Sequence, residues 1–274
     1  YIIEQKNWYH LDLFVNSDVL IPRPETETLV DFIVDSIKKS FDTTVAQEPM
    51  EQSKVTFKTN PKIVFYFCTG SGCIALALAQ LFPNYEIYAF DNSKKALSIA
   101  EKNAQLNSVT NVKFIELDLS KEESFTFIQN HIAKKADIIC ANPPYISSDE
   151  WENLQTEVKL FEPKNALVSS NEGLFLGSMI YEQVIAKKLL ATASIFCMEL
   201  AHMQPAKLIS QQLKNDAMTR EKNNCIHEKS YKIQDSYFDK PKNTWFSLCD
   251  LEGKKRFLSY LGESNMQNKS GFDF

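Results

Sequence analysis

The run KIVFYFCTGSGCIALALA, residues 62 to 79, passes from an apolar stretch of strand length, through a turn carrying Gly70 and Gly72, into a helical pattern. Glycine permits a tight turn and a close approach of backbone to a ligand, and the start of the following helix presents unpaired N–H groups at the same place. The chain has only seven glycines, so this pair marks a turn where backbone geometry matters. The alternation then continues. Apolar runs at Ile63–Phe67, Glu86–Phe90, Val112–Leu117 and Asp137–Ala141 are separated by helical patterns at Cys73–Leu81, Lys94–Leu106 and Ser124–Lys134. Strands alternating with helices predict an α/β fold with a parallel sheet.

The flanks extend this pattern. Residues 1 to 23 alternate loosely and predict a short hairpin ended by Pro22 and Pro24. From Glu25 onward Leu29, Val30, Ile33, Val34 and Ile37 share one helical face. Leu174–Ala191 predicts a helix, Ser194–Leu200 a fifth strand, and Pro205 to about Asn215 another helix. Trp245–Cys249 and Arg256–Leu261 flank a turn-like D-L-E-G-K-K and predict an antiparallel hairpin at the sheet edge, for seven strands in all. Residues 42–61 and 219–243 are polar and read as surface insertions of a single domain running from 25 to 274.

Bulk properties narrow the function. A length of 274 residues with 44% hydrophobic residues supports one large core. A net charge of −5 argues against a broad basic surface for nucleic acid, so no stable nucleic-acid binding is expected. No window is apolar for long enough to span a bilayer. Six cysteines without C-x-x-C spacing suit free thiols in a reducing compartment. His10, His131, His202 and His227 are scattered and offer no ligand cluster, so no metal is expected.

Three strand ends carry chemistry. Asp91 ends the strand after the glycine turn, where a carboxylate can accept hydrogen bonds from both hydroxyls of a ribose. Asp118, after the third strand, is placed to receive an adenine amino group, or else to cap the helix that follows. The fourth strand runs into Asn142, Pro143, Pro144 and Tyr145. The prolines stiffen the backbone and remove two N–H groups. The Asn142 side-chain oxygen and the Pro143 carbonyl then form two fixed acceptors, matching the two hydrogens of an –NH₂ group, and Tyr145 offers a flat face for stacking on a planar amide or base. Such a pocket would orient a nitrogen toward an electrophilic carbon.

Together these motifs make the chain resemble a class I S-adenosylmethionine-dependent methyltransferase acting on planar nitrogens. The NPPY motif alone is shared with adenine-N6 methyltransferases of DNA and RNA. VLIPRPETETLV at 19 to 30 is more specific and resembles the signature of the HemK/PrmC family, the peptide chain release factor N5-glutamine methyltransferases. CTGSGCIALALA at 68 to 79, ANPPYI at 141 to 146, EPKNALVSSNEGL at 162 to 174, MELAHMQ at 198 to 204 and DLEGKKRFL at 250 to 258 agree.

The resemblance implies S-adenosylmethionine as cofactor and the glutamine of the GGQ motif in class 1 release factors as substrate. It implies a cofactor site of Cys68, Thr69, Gly70, Ser71, Gly72, Asp91, Asp118, Leu119 and Asn142. Asn142, Pro143, Pro144 and Tyr145 would hold the glutamine amide, with Asn142, Pro143 and Tyr145 catalytic, while Arg23, Glu25 and Glu27 would close the pocket wall. In this family a helical domain precedes the catalytic one, and residues 1–24 read as the remnant of the linking hairpin. A monomer is expected, mitochondrial if eukaryotic and otherwise cytoplasmic. Cys68 stands at the first glycine position of the turn, and Tyr66 replaces the acid that in the family steadies the turn and the cofactor's amino group. Its loss is expected to weaken cofactor binding. Two rivals follow: an adenine-N6 methyltransferase using the same NPPY pocket, and a degenerate fold serving as a binding scaffold, favoured by Tyr66 alone.

Overall fold

The structure is a computed structural model that describes residues 3–41, 62–132, 134–210, 225–232, 243–250 and 252–262. The insertion expected at 42–61 lies outside them. The chain opens with the hairpin β1 (Gln5–Trp8) and β2 (Leu11–Phe14), followed by a 3-10 turn at Pro24–Thr26 and helix α1 (Glu27–Phe41). Leu29, Val30, Ile33, Val34 and Ile37 are all buried, as their spacing predicts. Each contributes about 1.5–3 kcal/mol relative to exposure.

The alternating core follows as β3 (Ile63–Phe67), α2 (Cys73–Leu81), β4 (Glu86–Asp91), α3 (Lys94–Leu106), β5 (Val112–Glu116), α4 (Glu122–Phe127) and β6 (Ala136–Ala141). The connection beyond β6 contains two short helices, α5 (Ser148–Glu152) and α6 (Thr156–Phe161). Then come α7 (Phe175–Ala186) and β7 (Leu190–Glu199). Helix α7 ends earlier than its apolar sequence predicts because Lys188 turns left-handed at φ 51° and the Leu189 N–H bonds back to the Val184 carbonyl at 3.1 Å, which caps the helix. Residues 204–210 are helical, and the part of that expected helix beyond 210 lies outside the described residues. Strands β8 (Cys225–Lys232), β9 (Thr244–Cys249) and β10 (Lys255–Leu261) complete the sheet.

The sheet order is β5-β4-β3-β6-β7-β10-β9-β8. Strands β3 to β7 are mutually parallel, and β10 is antiparallel to both its neighbours. All seven expected strands are present. The closing hairpin is antiparallel and adds to the β7 edge through β10, with β9 beyond it. One expectation needs correction. The polar segment 219–243 is not all loop, because β8 pairs parallel with β9 and becomes the eighth, outermost strand. An edge strand needs no continuous apolar run and is commonly charged, so the sequence CIHEKSYK hid it.

Alternation along β3 divides the core. Val64 and Tyr66 join the cluster formed with the hairpin, α1 and α2, whereas Ile63, Phe65 and Phe67 join the cluster beneath α4 and α7. The hairpin is fastened to the sheet's helical layer by Asn103 of α3, which is fully buried. Its side chain accepts from the Phe14 N–H at 2.7 Å and donates to the carbonyls of Phe14 at 3.0 Å and Ser71 at 2.9 Å. One amide thereby links the hairpin to the glycine turn.

Candidate active site

Strand order reverses between β3 and β6, and the chain leaves these strands toward opposite sides, opening a crevice at their carboxyl ends. A cavity of about 270 Å³ lies there. Of the residues expected to form the cofactor site, Cys68, Thr69, Gly70, Ser71, Asp91, Asp118, Leu119 and Asn142 line it. Gly72 does not. It caps α2 at φ 85°, and a Cβ there would stand 3.0 Å from that of Ala100, so this glycine seats the helix against α3.

The turn after β3 is fixed by β4. The Thr69 N–H donates to the Phe90 carbonyl at 2.9 Å, and the Gly70 N–H donates to the Asp91 carboxylate at 2.8 Å. The second Asp91 oxygen accepts the Ser93 N–H at 3.0 Å, and each oxygen keeps a lone pair for a further donor. Burial raises the Asp91 carboxyl above its ordinary range, opposed by the Gly70 and Ser93 N–H groups. Thr69 Oγ1 is buried without a partner on this wall. A Cβ at Gly70 would meet nothing within 4 Å, consistent with open space for a ligand.

Tyr66 lies on the same wall, 2% exposed. Burial, reinforced by the neighbouring cysteines, keeps its phenol protonated far above neutral pH. The glycine turn therefore takes its support from Phe90 and Asp91, and position 66 supplies a neutral O–H in place of a carboxylate. Asp118 is partly engaged: it accepts from the Ser120 N–H at 3.1 Å and the Ser120 hydroxyl at 2.6 Å, and Lys121 stands 3.1 Å away. The Ser120 bonds hold its carboxyl below the ordinary range. Of the two roles weighed for Asp118, the helix cap is not seen, since Lys121 stands at the N-cap of α4 and the Asp118 carboxylate bonds Ser120; the residue does line the cavity.

The NPPY segment is divided by the fold. Asn142 and Pro144 line the cavity, whereas buried Pro143 and half-buried Tyr145 do not. Tyr145 packs against the core, with its hydroxyl 3.5 Å from Glu199. Its ring supports the loop from behind, and the stacking expected of it is not seen in the cavity wall. Asn142 Nδ2 donates to Glu199 at 3.2 Å and to Thr26 Oγ1 at 3.3 Å. Glu199 is 2% exposed, and burial raises its carboxyl to about 7 against bonds from Thr26 and Tyr145 and the charge of Arg256. Sequence reasoning missed Thr26 and Glu199. Their signal was present, since each lies inside a motif quoted for the resemblance, but only tertiary structure brings them to Asn142.

The N-terminal signature forms the opposite wall. Arg23 and Thr26 line the cavity, and the Arg23 guanidinium reaches both Glu162 oxygens at 2.7 and 2.8 Å. This pair joins IPRPETE to EPKNAL and brings Asn165 and Ala166 over the cavity. Glu25 and Glu27 are not on that wall: Glu25 is exposed, and the Glu27 carboxylate accepts the Tyr9 N–H at 3.1 Å. Behind NPPY, Asn171, Glu172 and Gly173 are successively left-handed. A Cβ at Gly173 would stand 2.1 Å from the Tyr145 carbonyl oxygen, so only glycine fits; Gln204 donates to that carbonyl at 3.1 Å.

Among the described residues no cluster of side chains could hold a metal, and no helix is long and apolar enough to cross a membrane. The chain is similar to a release factor glutamine methyltransferase of Thermodesulfovibrio yellowstonii, 35% identical over 207 residues, covering 74% of this chain and 63% of the relative. A Bacillus subtilis protein of the same name is 38% identical over 174 residues, covering 64% and 53%. The chain thus spans less than two thirds of the length of these curated relatives. Among solved structures, the N-terminal domain of human METTL16 in complex with SAH superposes with a TM-score of 0.54 at 14% identity, covering 93% of this chain and 77% of that one, a likeness of fold. The family described as Methyltransferase domain matches residues 66–261, which include the glycine turn, NPPY and the closing strands, and the chain belongs to that family, with the class I methyltransferase fold.

Proposed function

We propose that the protein uses S-adenosylmethionine to methylate the side-chain amide nitrogen of the GGQ glutamine in class 1 peptide chain release factors. The observation that carries this is the state of Asn142: a cavity-lining amide whose Nδ2 is consumed by Glu199 and Thr26, leaving Oδ1 as an acceptor for an incoming –NH₂. The names of the relatives, release factor glutamine methyltransferase, support a release factor glutamine as substrate.

The cavity fits the cofactor. Asp91 retains lone pairs for ribose hydroxyls, the unpartnered Thr69 Oγ1 and the open face of Gly70 suit polar contact, and Tyr66 offers a neutral hydroxyl toward the amino-acid end. S-adenosylmethionine supplies an electrophilic methyl carbon on a sulfonium. The protein's part is orientation. An amide nitrogen is a poor nucleophile because its lone pair is delocalised. The acceptor at Asn142 Oδ1, on the cavity wall, would hold one amide hydrogen, fix the nitrogen's direction of approach and stabilise positive charge as it develops there. Pro144, Leu119, Ala166 and Leu176 give the wall apolar surface that limits water.

Incubation with methyl-labelled S-adenosylmethionine and either a class 1 release factor or adenine-containing RNA and DNA tests this. Label in the release factor alone is expected. Label in nucleic acid alone would replace this reading with the adenine-N6 one, and failure to bind S-adenosylhomocysteine in calorimetry would leave the scaffold.

A further inference from the structure

Asn142 can serve an incoming amide only in one of its two flip states. With Nδ2 toward the cavity it would present donors to donors. With Oδ1 toward the cavity, Nδ2 must find acceptors behind, and there the structure places Thr26 Oγ1 at 3.3 Å and Glu199 Oε2 at 3.2 Å. A hydroxyl can adapt to either flip, because it donates or accepts. An ionised carboxylate cannot, because it only accepts.

Register places Glu199 for this task. Met198 pairs with Ala141, so Glu199 ends β7 beside Asn142, and on its other side it pairs with Phe257 of β10. It is 2% exposed and is absent from the cavity wall, so it does not touch a substrate there. We infer that Glu199 is a positioning residue: its buried carboxylate selects the Asn142 flip state that turns Oδ1 to the cavity, and methyl transfer depends on Glu199 being ionised.

This rests on the methyltransferase reading above, and its consequence is a pH dependence that the reaction would otherwise lack, since a glutamine amide does not titrate near neutrality. Burial brings the Glu199 carboxyl up to about 7. The charged and titratable groups facing it are Arg256 on β10, which pairs with Asp250 at 2.9 Å, Glu25 beside the 3-10 turn, Tyr145 beyond β6, Cys73 on α2 and Cys197 on its own strand. Arg256 favours the ionised form, Glu25 opposes it, and the tyrosine and thiols stay neutral across this range because burial raises each of them. Below the midpoint the protonated carboxyl gains a donor and the selection against the wrong flip is lost.

Two measurements test this. In the first, kcat for methyl transfer to a release factor is followed from pH 5.5 to 8.5 for wild type and Glu199→Gln. Wild type should lose roughly tenfold in kcat between pH 8 and pH 6, as one group near neutrality is protonated. Glu199→Gln should be slower at pH 8, flat across that range, and close to wild type in KM and in S-adenosylhomocysteine binding. In the second, the Asn142 side-chain ¹⁵N resonance, assigned with Asn142→Ser, is followed against pH in the protein without substrate. It should shift with a midpoint matching the kinetic one. A pH limb that survives in Glu199→Gln, or an Asn142 resonance that does not titrate, overturns the inference. If the release factor is not methylated at all, the proposed function fails, while the substrate-free resonance still decides whether Glu199 governs Asn142. If Glu199→Gln does not fold, agreement or disagreement of the two wild-type midpoints decides.

Discussion

At the scale of single residues, the site is built from polar groups that burial makes demanding. Glu199 illustrates the cost. Its carboxyl titrates at about 7 in the fold against an ordinary 4.5, so the folded state binds the proton more tightly than the unfolded chain does. Its contribution to stability is therefore greatest below the unfolded value, declines as pH rises from about 4.5 to about 7, and is constant above. The loss is about 3 kcal/mol by linkage. Denaturant titrations of wild type and Glu199→Gln should diverge across that window, the variant losing less stability; parallel pH curves would contradict this. Asp91, also raised by burial, accepts one backbone N–H on each oxygen while facing the cavity. Asp91→Ala should weaken S-adenosylhomocysteine binding by about 10- to 100-fold, from the loss of charge-assisted bonds worth ~1.5–3 kcal/mol, measurable by calorimetry. Affinity within a few-fold of wild type would place the nucleoside elsewhere. Asp91 and Asn142 were legible in the sequence because each ends an apolar run beside a recognisable turn. Glu199 and Thr26 were not, because a buried carboxylate at a strand end and a threonine in a proline-rich turn look like ordinary polar residues until β7 and the N-terminal segment meet.

At the scale of elements, local pattern gave the parts of the fold that periodicity governs. The face of α1, the strands β3 to β6 and the hairpin β1–β2 follow directly from spacing. What periodicity does not carry is pairing: that β10 slips between β7 and β9, and that a polar segment supplies β8, are decided by hydrogen bonding across the sheet. The attachment of the hairpin was equally hidden, since it depends on Asn103, an inconspicuous polar residue in α3. Asn103→Ala removes these bonds from the partly buried Phe14 N–H and carbonyl and from the buried Ser71 carbonyl. It should cost about 2–4 kcal/mol in stability. It should also loosen the glycine turn through Ser71, raising the S-adenosylhomocysteine dissociation constant. Hydrogen exchange at Phe14 and around Ser71 checks both effects, and unchanged protection at either end would show that the amide is dispensable.

At the scale of the whole molecule, three distant stretches of sequence converge on one cavity. Strands β3 and β4 bring the glycine turn and Asp91, β6 and β7 bring Asn142 with Glu199 behind it, and the Arg23–Glu162 pair draws the N-terminal signature across the front. The glycine turn with Asp91 and the Asn142 end open on the same space, and such a shared space is what the proposed direct methyl transfer needs. The most direct measurement is peptide mass spectrometry of a class 1 release factor after incubation with S-adenosylmethionine and either wild type or Asn142→Ala. The expected result is one methyl on the side-chain amide of the GGQ glutamine with wild type, and a rate reduced by about 10²–10³-fold with Asn142→Ala, while S-adenosylhomocysteine binding changes by no more than a few-fold. A methyl on any other residue, or equal rates for the two proteins, would contradict the assignment of Asn142 as the group that reads the amide.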